Sequence, residues 1–331
     1  MGRMNAAPDL AFISTGGNSM RDDATPKRAL FDERRINGTV DHMARVARKG
    51  TMIVAGHGNG PQVGELLQRY IDHGEDPRSL AWLTYISQDK IGRALRRRFR
   101  EVTGGTMAIN YTRVGVDKEN LGEPVKGIGN YEYGRERFDA EGIKPIQDPA
   151  RPDYWRRGVV SPKPERIHPV DLDEIVRLID SRLHTIACGG GGIPWELPEG
   201  AGHREPGQIL DLDAVVDKDA AMARLIIELL AKDIAGDVYF TVTDVPGYFP
   251  SKDELVKYRA GQDAELIRKL SVAQVEEIVA STSNDGGMMP KISAAASAKK
   301  ANPDMKVYIT DIDGMQRVFA GDESAATEIV A

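Results

Sequence analysis

The sequence predicts a three-layer αβα sandwich, with helices on both faces of a mainly parallel central sheet and a small protruding subdomain. Three observations carry that prediction. Short apolar runs alternate with amphipathic stretches along most of the 331 residues, and such alternation is how a parallel sheet is wound. Three of the runs end in glycine clusters, the turn chemistry of strand ends. The alternation fails only from about Tyr111 to Ser161, a segment holding Tyr131, Tyr133, Phe138, Tyr154 and Trp155, too aromatic for a disordered loop.

The elements follow in order. Leu10 to Thr15 is a strand that gives way to Gly16-Gly17-Asn18, and Asn37 to Arg48 carries helical spacing. Thr51 to Ala55 is a second strand, running into Gly56-His57-Gly58-Asn59-Gly60 ahead of a helix over Val63 to Asp72. A basic amphipathic helix is expected at Gln88 to Arg100. After the irregular segment, Asp171 to Asp180 places acids in its first turn, where the helix dipole favours them. His184 to Cys188 is a strand ending in Gly189 to Gly192. A helix at Ala220 to Leu230 precedes the strand Asp237 to Thr243; helices at Val272 to Ser281 and Ile292 to Lys300 precede the strand Met305 to Thr310. The chain therefore divides into an N-terminal half (1–110), an inserted subdomain with the character of a lid (111–161) and a C-terminal half (162–331).

Composition narrows the function. Lys and Arg total 44 against 50 Asp and Glu, a net charge of −6, which argues against a nucleic-acid or acidic-membrane binder. The arginines at 93, 96, 97, 98 and 100 read as a solvated helix face. The lone cysteine, Cys188, rules out an internal disulfide and reads as a small core residue. There is no signal-peptide-like start and no apolar run of about 18–20 residues, so a cytoplasmic protein is expected.

Glycine turns at the ends of parallel strands are where α/β proteins bind phosphates. No Walker A pattern occurs, and Pro61 stands where the dinucleotide fingerprint needs its last glycine. Phosphoryl transfer without a Walker loop still needs fixed cations and an acid that organises them. Asp217-Lys218-Asp219 stands before a helix between apolar residues, and Lys291 leads another helix behind a glycine-bearing loop. A lysine there opposes the helix dipole, which an anionic partner offsets. The tripeptide alone reads as a solvated turn, and Asp211-x-Asp213 fails as a calcium loop because valines stand at positions 215 and 216. His57, between glycines, either positions backbone or touches ligand.

Taken together, these segments resemble the carbamate kinases of the amino-acid kinase family. The resemblance runs through Gly16-Gly17-Asn18, His57-Gly58-Asn59-Gly60-Pro61-Gln62-Val63-Gly64, Val116-Asp117, Lys126-Gly127-Ile128-Gly129, Trp155-Arg156-Arg157 and Ser161-Pro162-Lys163-Pro164. It continues through Gly189 to Pro194, Val216-Asp217-Lys218-Asp219, Thr243-Asp244-Val245 and Pro290-Lys291. It implies reversible phosphoryl transfer between ATP and carbamate, with Mg2+ accompanying the nucleotide, in a homodimer. Lys218 and Lys291 would neutralise the transferring group, Asp219 would hold them, and Lys126 would reach over from the protruding subdomain. Gly16, Gly17, Asn18, Gly58, Asn59, Gly190 and Gly191 would line the acceptor and phosphate side, with the first five offering N–H and amide donors. Thr243, Asp244, Val245, Met288 and Pro290 would lie by the nucleotide. It also implies that residues 1–110 bind the acceptor and 162–331 the nucleotide. The chain departs from the family pattern at Asp89, Glu119 to Gly122 and Met289. Asp89 and Glu119 to Gly122 motivate one alternative, a kinase of another small carboxylate or amino acid forming an acyl phosphate; the other, from a different class, is a non-catalytic nucleotide-binding regulator.

Overall fold

A computed structural model describes residues 9–16, 33–73, 79–140, 143–148, 151–196, 212–282 and 287–331. The first part of the chain runs β1 (Leu10–Thr15), α1 (Glu33–Ala47), β2 (Met52–His57), α2 (Gly60–Asp72), α3 (Leu80–Thr103), β3 (Met107–Ile109) and β4 (Arg113–Val116). Next come β5 (Pro124–Tyr133), α4 (Glu136–Ala140), β6 (Pro145–Asp148), β7 (Arg151–Val160), β8 (Arg166–Ile167), α5 (Pro169–Asp180), β9 (His184–Ile186) and β10 (Ile193–Glu196). The last part holds α6 (Lys218–Leu230), β11 (Val238–Val242), α7 (Lys252–Arg259), β12 (Lys269–Ser271), α8 (Val272–Ser281), α9 (Met288–Ala301), β13 (Lys306–Thr310), α10 (Ile312–Phe319) and β14 (Thr327–Val330).

Eight strands form the main sheet in the order β12-β14-β13-β11-β1-β2-β9-β3. Its pairings are parallel except where β14 meets β13. Because both faces are covered, the central strands are apolar on both sides rather than alternating. Phe12, Val54 and Tyr239 pack on one face against α5, α6, α8 and α9. Ile13, Ile53 and Phe240 pack on the other against α1, α3 and α10. This is the three-layer sandwich expected. Two further sheets, β10-β4-β8 and β5-β7-β6, stand apart from the main one. Ile128 of β5 and Val159 of β7 pack with Val63, Leu66 and Leu67 of α2, which ties the second small sheet to the body.

Two boundaries differ from the sequence reading for physical reasons. The helix expected from Gln88 begins at Leu80, because Ser79 caps it by accepting from the Trp82 N–H, and it ends where Gly104 turns left-handed at φ 73°. Thr84, Ser87 and Gln88 are buried on its inner face, so the apolar period there is broken by polar side chains. The strand expected to reach Cys188 ends at Ile186; Cys188 adopts φ 52° and leads a short 3-10 turn over Gly189–Gly191. Asp213 accepts from the Leu80 N–H, so it helps to cap α3.

Candidate functional site

Asp217 sets the start of α6. Its backbone is extended and its carboxylate accepts from the N–H groups of Asp219 at 2.9 Å and Ala220 at 3.2 Å, a side-chain cap of the first turn. Lys218 and Asp219 are thereby the first helical residues, and both are buried, not part of a solvated turn. The Lys218 Nζ donates to Asp219 Oδ1 at 2.5 Å and to Ser14 Oγ, at the end of β1, at 3.2 Å. Ser14 Oγ in turn donates to Asp219 Oδ1 at 2.6 Å. From the first turn of α9, Lys291 Nζ lies 3.4 Å from Asp219 Oδ2 and donates to the Gly287 carbonyl at 3.3 Å. One carboxylate thus holds two ammonium groups delivered by two helices.

The charges of this cluster are set by burial and by each other. Burial alone would push the Asp219 carboxyl up, but Lys218 and Lys291 outweigh it and hold the group below the usual carboxylate range. Burial lowers the Lys218 ammonium, with Lys291 adding to the effect and Asp219 opposing it. Burial acts against Lys291 too, but Asp219 and Asp217 prevail and raise it.

The glycine floor lies beside this cluster. The three consecutive glycines at 190, 191 and 192 all have positive φ, at 65°, 95° and 82°. A Cβ on Gly190 would fall 2.0 Å from Asn59 Nδ2, and one on Gly191 would fall 2.0 Å from the Val216 carbonyl. Only glycine allows that approach. Asn59 Nδ2 donates to Ser87 Oγ at 2.6 Å, and Ser87 Oγ donates to the Thr84 carbonyl. Gly58 and Gly16 differ from expectation, because their N–H groups are committed to the sheet's end. Gly58 donates to the Thr15 carbonyl at 2.9 Å and Gly16 to the Val242 carbonyl at 3.2 Å. Asn59 likewise spends an amide proton inside the protein. Gly17 and Asn18 lie outside the described residues.

His57 is buried under this floor. Its Nδ1 is 3.3 Å from the Gly58 carbonyl, and burial lowers its pKa to about 4, so the imidazole is neutral at physiological pH. A Cβ on Gly189 would meet His57 Nε2 at 2.6 Å and Gln88 Cγ at 2.9 Å. The imidazole therefore supports the glycine turn from below, which favours the backbone-positioning role.

Lys126, on β5, reaches Asp217 from the second small sheet, Nζ to Oδ2 3.6 Å. Of the departures noted in the sequence, Asp89 is countered by neighbours: Arg93 donates to it at 2.8 Å and the Tyr111 hydroxyl at 2.7 Å. On the other side, the Thr243 N–H donates to the Thr310 carbonyl and its hydroxyl to Asp244, which also pairs with Arg259 at 3.1 Å. Val245 is buried behind them. Met288 and Pro290 are half-buried in the first turn of α9, ahead of Lys291, and Met288 and Met289 pack on the main core.

Among the described residues no group of three or more His, Cys, Asp or Glu could hold a metal ion. The carboxylates of Asp217 and Asp219 are taken by lysines. Ser14 is the member of the cluster to which the sequence reading assigned no role; its signal was a polar residue that, with Thr15, ends an otherwise apolar strand.

The chain has relatives among known proteins. The amino acid kinase family matches residues 9–311. A carbamate kinase of Enterococcus faecalis is 30% identical over 97% of this chain and 98% of its own. One of Latilactobacillus sakei is 28% identical over 94% and 96%. The solved carbamate kinase of Giardia lamblia, at 22% identity, shares the fold with a TM-score of 0.81 over 98% of this chain and 99% of that one. The chain belongs to the amino acid kinase family and is a carbamate kinase-like phosphotransferase.

Proposed function

We propose that the chain transfers a phosphoryl group reversibly between ATP and carbamate, forming ATP from ADP and carbamoyl phosphate in one direction. The observation that carries this reading is the convergence of Lys218 and Lys291 on the buried Asp219, at the end of the central strand. In the direction of carbamate phosphorylation, a carbamate oxygen attacks the γ-phosphorus as the bond to the β-phosphate oxygen breaks and ADP leaves. Both reactants are anions, so fixed cations must offset the charge on the transferring group. Lys218 and Lys291 supply it, Asp219 keeps them in register, and Lys126 adds a third cation from the small sheet. No covalent enzyme intermediate is needed.

Gly190 and Gly191 let backbone approach the acceptor and phosphate closely, with Gly16, Gly17, Asn18, Gly58 and Asn59 shaping the same side. Thr243, Asp244, Val245, Met288 and Pro290 border the nucleotide. Mg2+ arrives as part of the nucleotide substrate, a reading supported by a cluster whose carboxylates are already engaged by lysines. Residues 1–110 serve the acceptor, 162–331 the nucleotide, and 111–161 cover the site. A homodimer in the cytoplasm completes the reading; no helix among the described residues is long and apolar enough to cross a membrane.

The countered charge of Asp89 removes a reason to prefer another carboxylate acceptor. Retention of the lysines and Asp219 argues against a non-catalytic regulator. The test is ATP formation from ADP, Mg2+ and carbamoyl phosphate by the purified protein, with Lys218→Ala as control. Rapid, lysine-dependent ATP production is expected; ADP binding without ATP above the control overturns carbamate as the acceptor.

A further inference from the structure

Ser14 is fully buried in a strand whose other residues before Thr15 are all apolar. A buried hydroxyl is costly unless it is hydrogen-bonded. Here it closes a ring of three polar atoms: it accepts from Lys218 Nζ at 3.2 Å and donates to Asp219 Oδ1 at 2.6 Å, while Nζ donates to the same Oδ1. The strand β1 lies next to β11 with Ser14 opposite Thr241 and Phe12 opposite Tyr239. The Thr241 and Tyr239 side chains thus share its face, because side chains alternate with a period of two, and both residues are fully buried. The serine is held from behind by the central sheet, not by a loop.

An ammonium group has three N–H bonds. Asp219 and Ser14 take two of those on Lys218. We propose that Ser14 is a positioning residue of the phosphoryl-transfer site, fixing the Lys218 ammonium so that its third N–H is presented to the transferring group. This rests on the kinase reading above, and it adds a requirement that the lysine and aspartate do not meet alone. A flexible lysine paired only to Asp219 could turn about that contact; the second acceptor, on a rigid strand, removes the rotation. Small misplacements of a transition-state contact are expensive in rate. The charged and titratable groups around Lys218 are Asp219 on its own helix, the cap residue Asp217 with its partner Lys126 on β5, Lys291 on α9 and His57 on β2. Tyr239 on β11 faces the two aspartates.

The experiment compares wild type, Ser14→Ala and Ser14→Thr in the ATP-forming direction from neutral to alkaline pH, with melting temperature followed in parallel. Ser14→Ala should lose about ten- to hundredfold in kcat with little change in the KM for ADP. Its alkaline limb should move to lower pH, since the charged lysine has lost an acceptor. Ser14→Thr, which keeps the hydroxyl on a β-branched frame, should recover both. A second readout does not depend on the acceptor: 15N NMR of labelled lysine side chains, with the Lys218 signal assigned by its loss in Lys218→Arg. Its titration midpoint should fall in Ser14→Ala. Unchanged kcat and an unchanged midpoint overturn the proposal, as does a loss of kcat that tracks melting temperature with no change in pH profile. If wild type itself makes no ATP, the carbamate reading falls, while the lysine titration still decides the role of Ser14. If Ser14→Thr does not fold, the Ser14→Ala pH profile and NMR midpoint decide it.

Discussion

The Lys126 ammonium lies 3.6 Å from the Asp217 carboxylate, joining the second small sheet to the residue that caps α6. Both side chains remain about a quarter to a third exposed, at 30% and 25%. A pair of that kind contributes about 0–1 kcal/mol to stability, so its placement matters more than its strength. It brings a cation to the same helix end that carries Lys218 and Asp219.

Lys126→Ala should therefore separate activity from stability. We expect kcat to fall at least about tenfold, while the melting temperature moves by no more than about 3 °C. Steady-state kinetics and calorimetry on one preparation check this. A large fall in melting temperature with normal turnover would make the lysine structural.

Removing members of the buried cluster should give two different phenotypes. Lys218→Ala should lower kcat by about a hundredfold or more with modest change in nucleotide affinity, because its charge is most needed in the transition state. Asp219→Asn leaves the buried Lys218 and the half-buried Lys291 without their anion, and should cost about 3–5 kcal/mol of stability as well. Urea unfolding beside nucleotide titration distinguishes the two; an Asp219→Asn protein of wild-type stability contradicts the buried ion triad.

Gly191→Ala tests the glycine floor. The new methyl group would fall 2.0 Å from the Val216 carbonyl, at a backbone φ of 95°. Since Val216 directly precedes the cap of α6, the strain is passed to the helix start that carries Lys218 and Asp219. We expect a loss above about 2 kcal/mol together with reduced turnover. Gly50→Ala, at φ 91° with nothing within 4 Å of the added Cβ, isolates the backbone penalty, about 1–2 kcal/mol. Equal losses from the two variants in urea would show that the close approach is unimportant.

The buried imidazole of His57 ties stability to pH. Its folded pKa, about 4, lies below the ordinary 6.5 because of burial. Between these values the unfolded chain binds a proton that the native protein refuses. Stability is therefore complete above about pH 6.5 and declines as pH falls toward 4, by about 3 kcal/mol from this residue. His42, His168 and His184 are also lowered by burial and act in the same direction. The advantage of wild type over His57→Asn in unfolding free energy should accordingly shrink between about pH 7 and about pH 4.5. Parallel curves would mean that His57 is not held neutral.

Much of this molecule was legible because periodicity and glycine placement report local physics. The runs at Leu10–Thr15 and Asp237–Thr243 are apolar on both faces, and the structure buries both faces of β1 and β11. Alone, the Lys218 tripeptide reads as a solvated turn and Lys291 as a lysine set against a helix dipole; their joint role with Asp219 came from the family resemblance. What the sequence hid was pairing across long separations. Ser14 meets Lys218 across 204 positions, which no local pattern encodes. The hydrogen bonds of Gly16 and Gly58 escaped for the same reason: whether an N–H is free depends on the neighbouring strand. Residues Leu80 to Ser87 of α3 were missed because polar side chains at Thr84 and Ser87 face inward.

Three lysines and two aspartates meet around the start of α6, leaving one net positive charge among the described groups there. In the proposed reaction a nucleoside triphosphate would bring several negative charges to that place, and the net positive charge would attract it without gripping it. Were the aspartates absent, the lysines would grip both nucleotides, and release would become the slow step of each cycle. The carboxylates therefore do more than orient their partners. In the proposed cycle they would weaken retention of whichever polyanion has just been made, and so let the same few atoms serve successive turnovers.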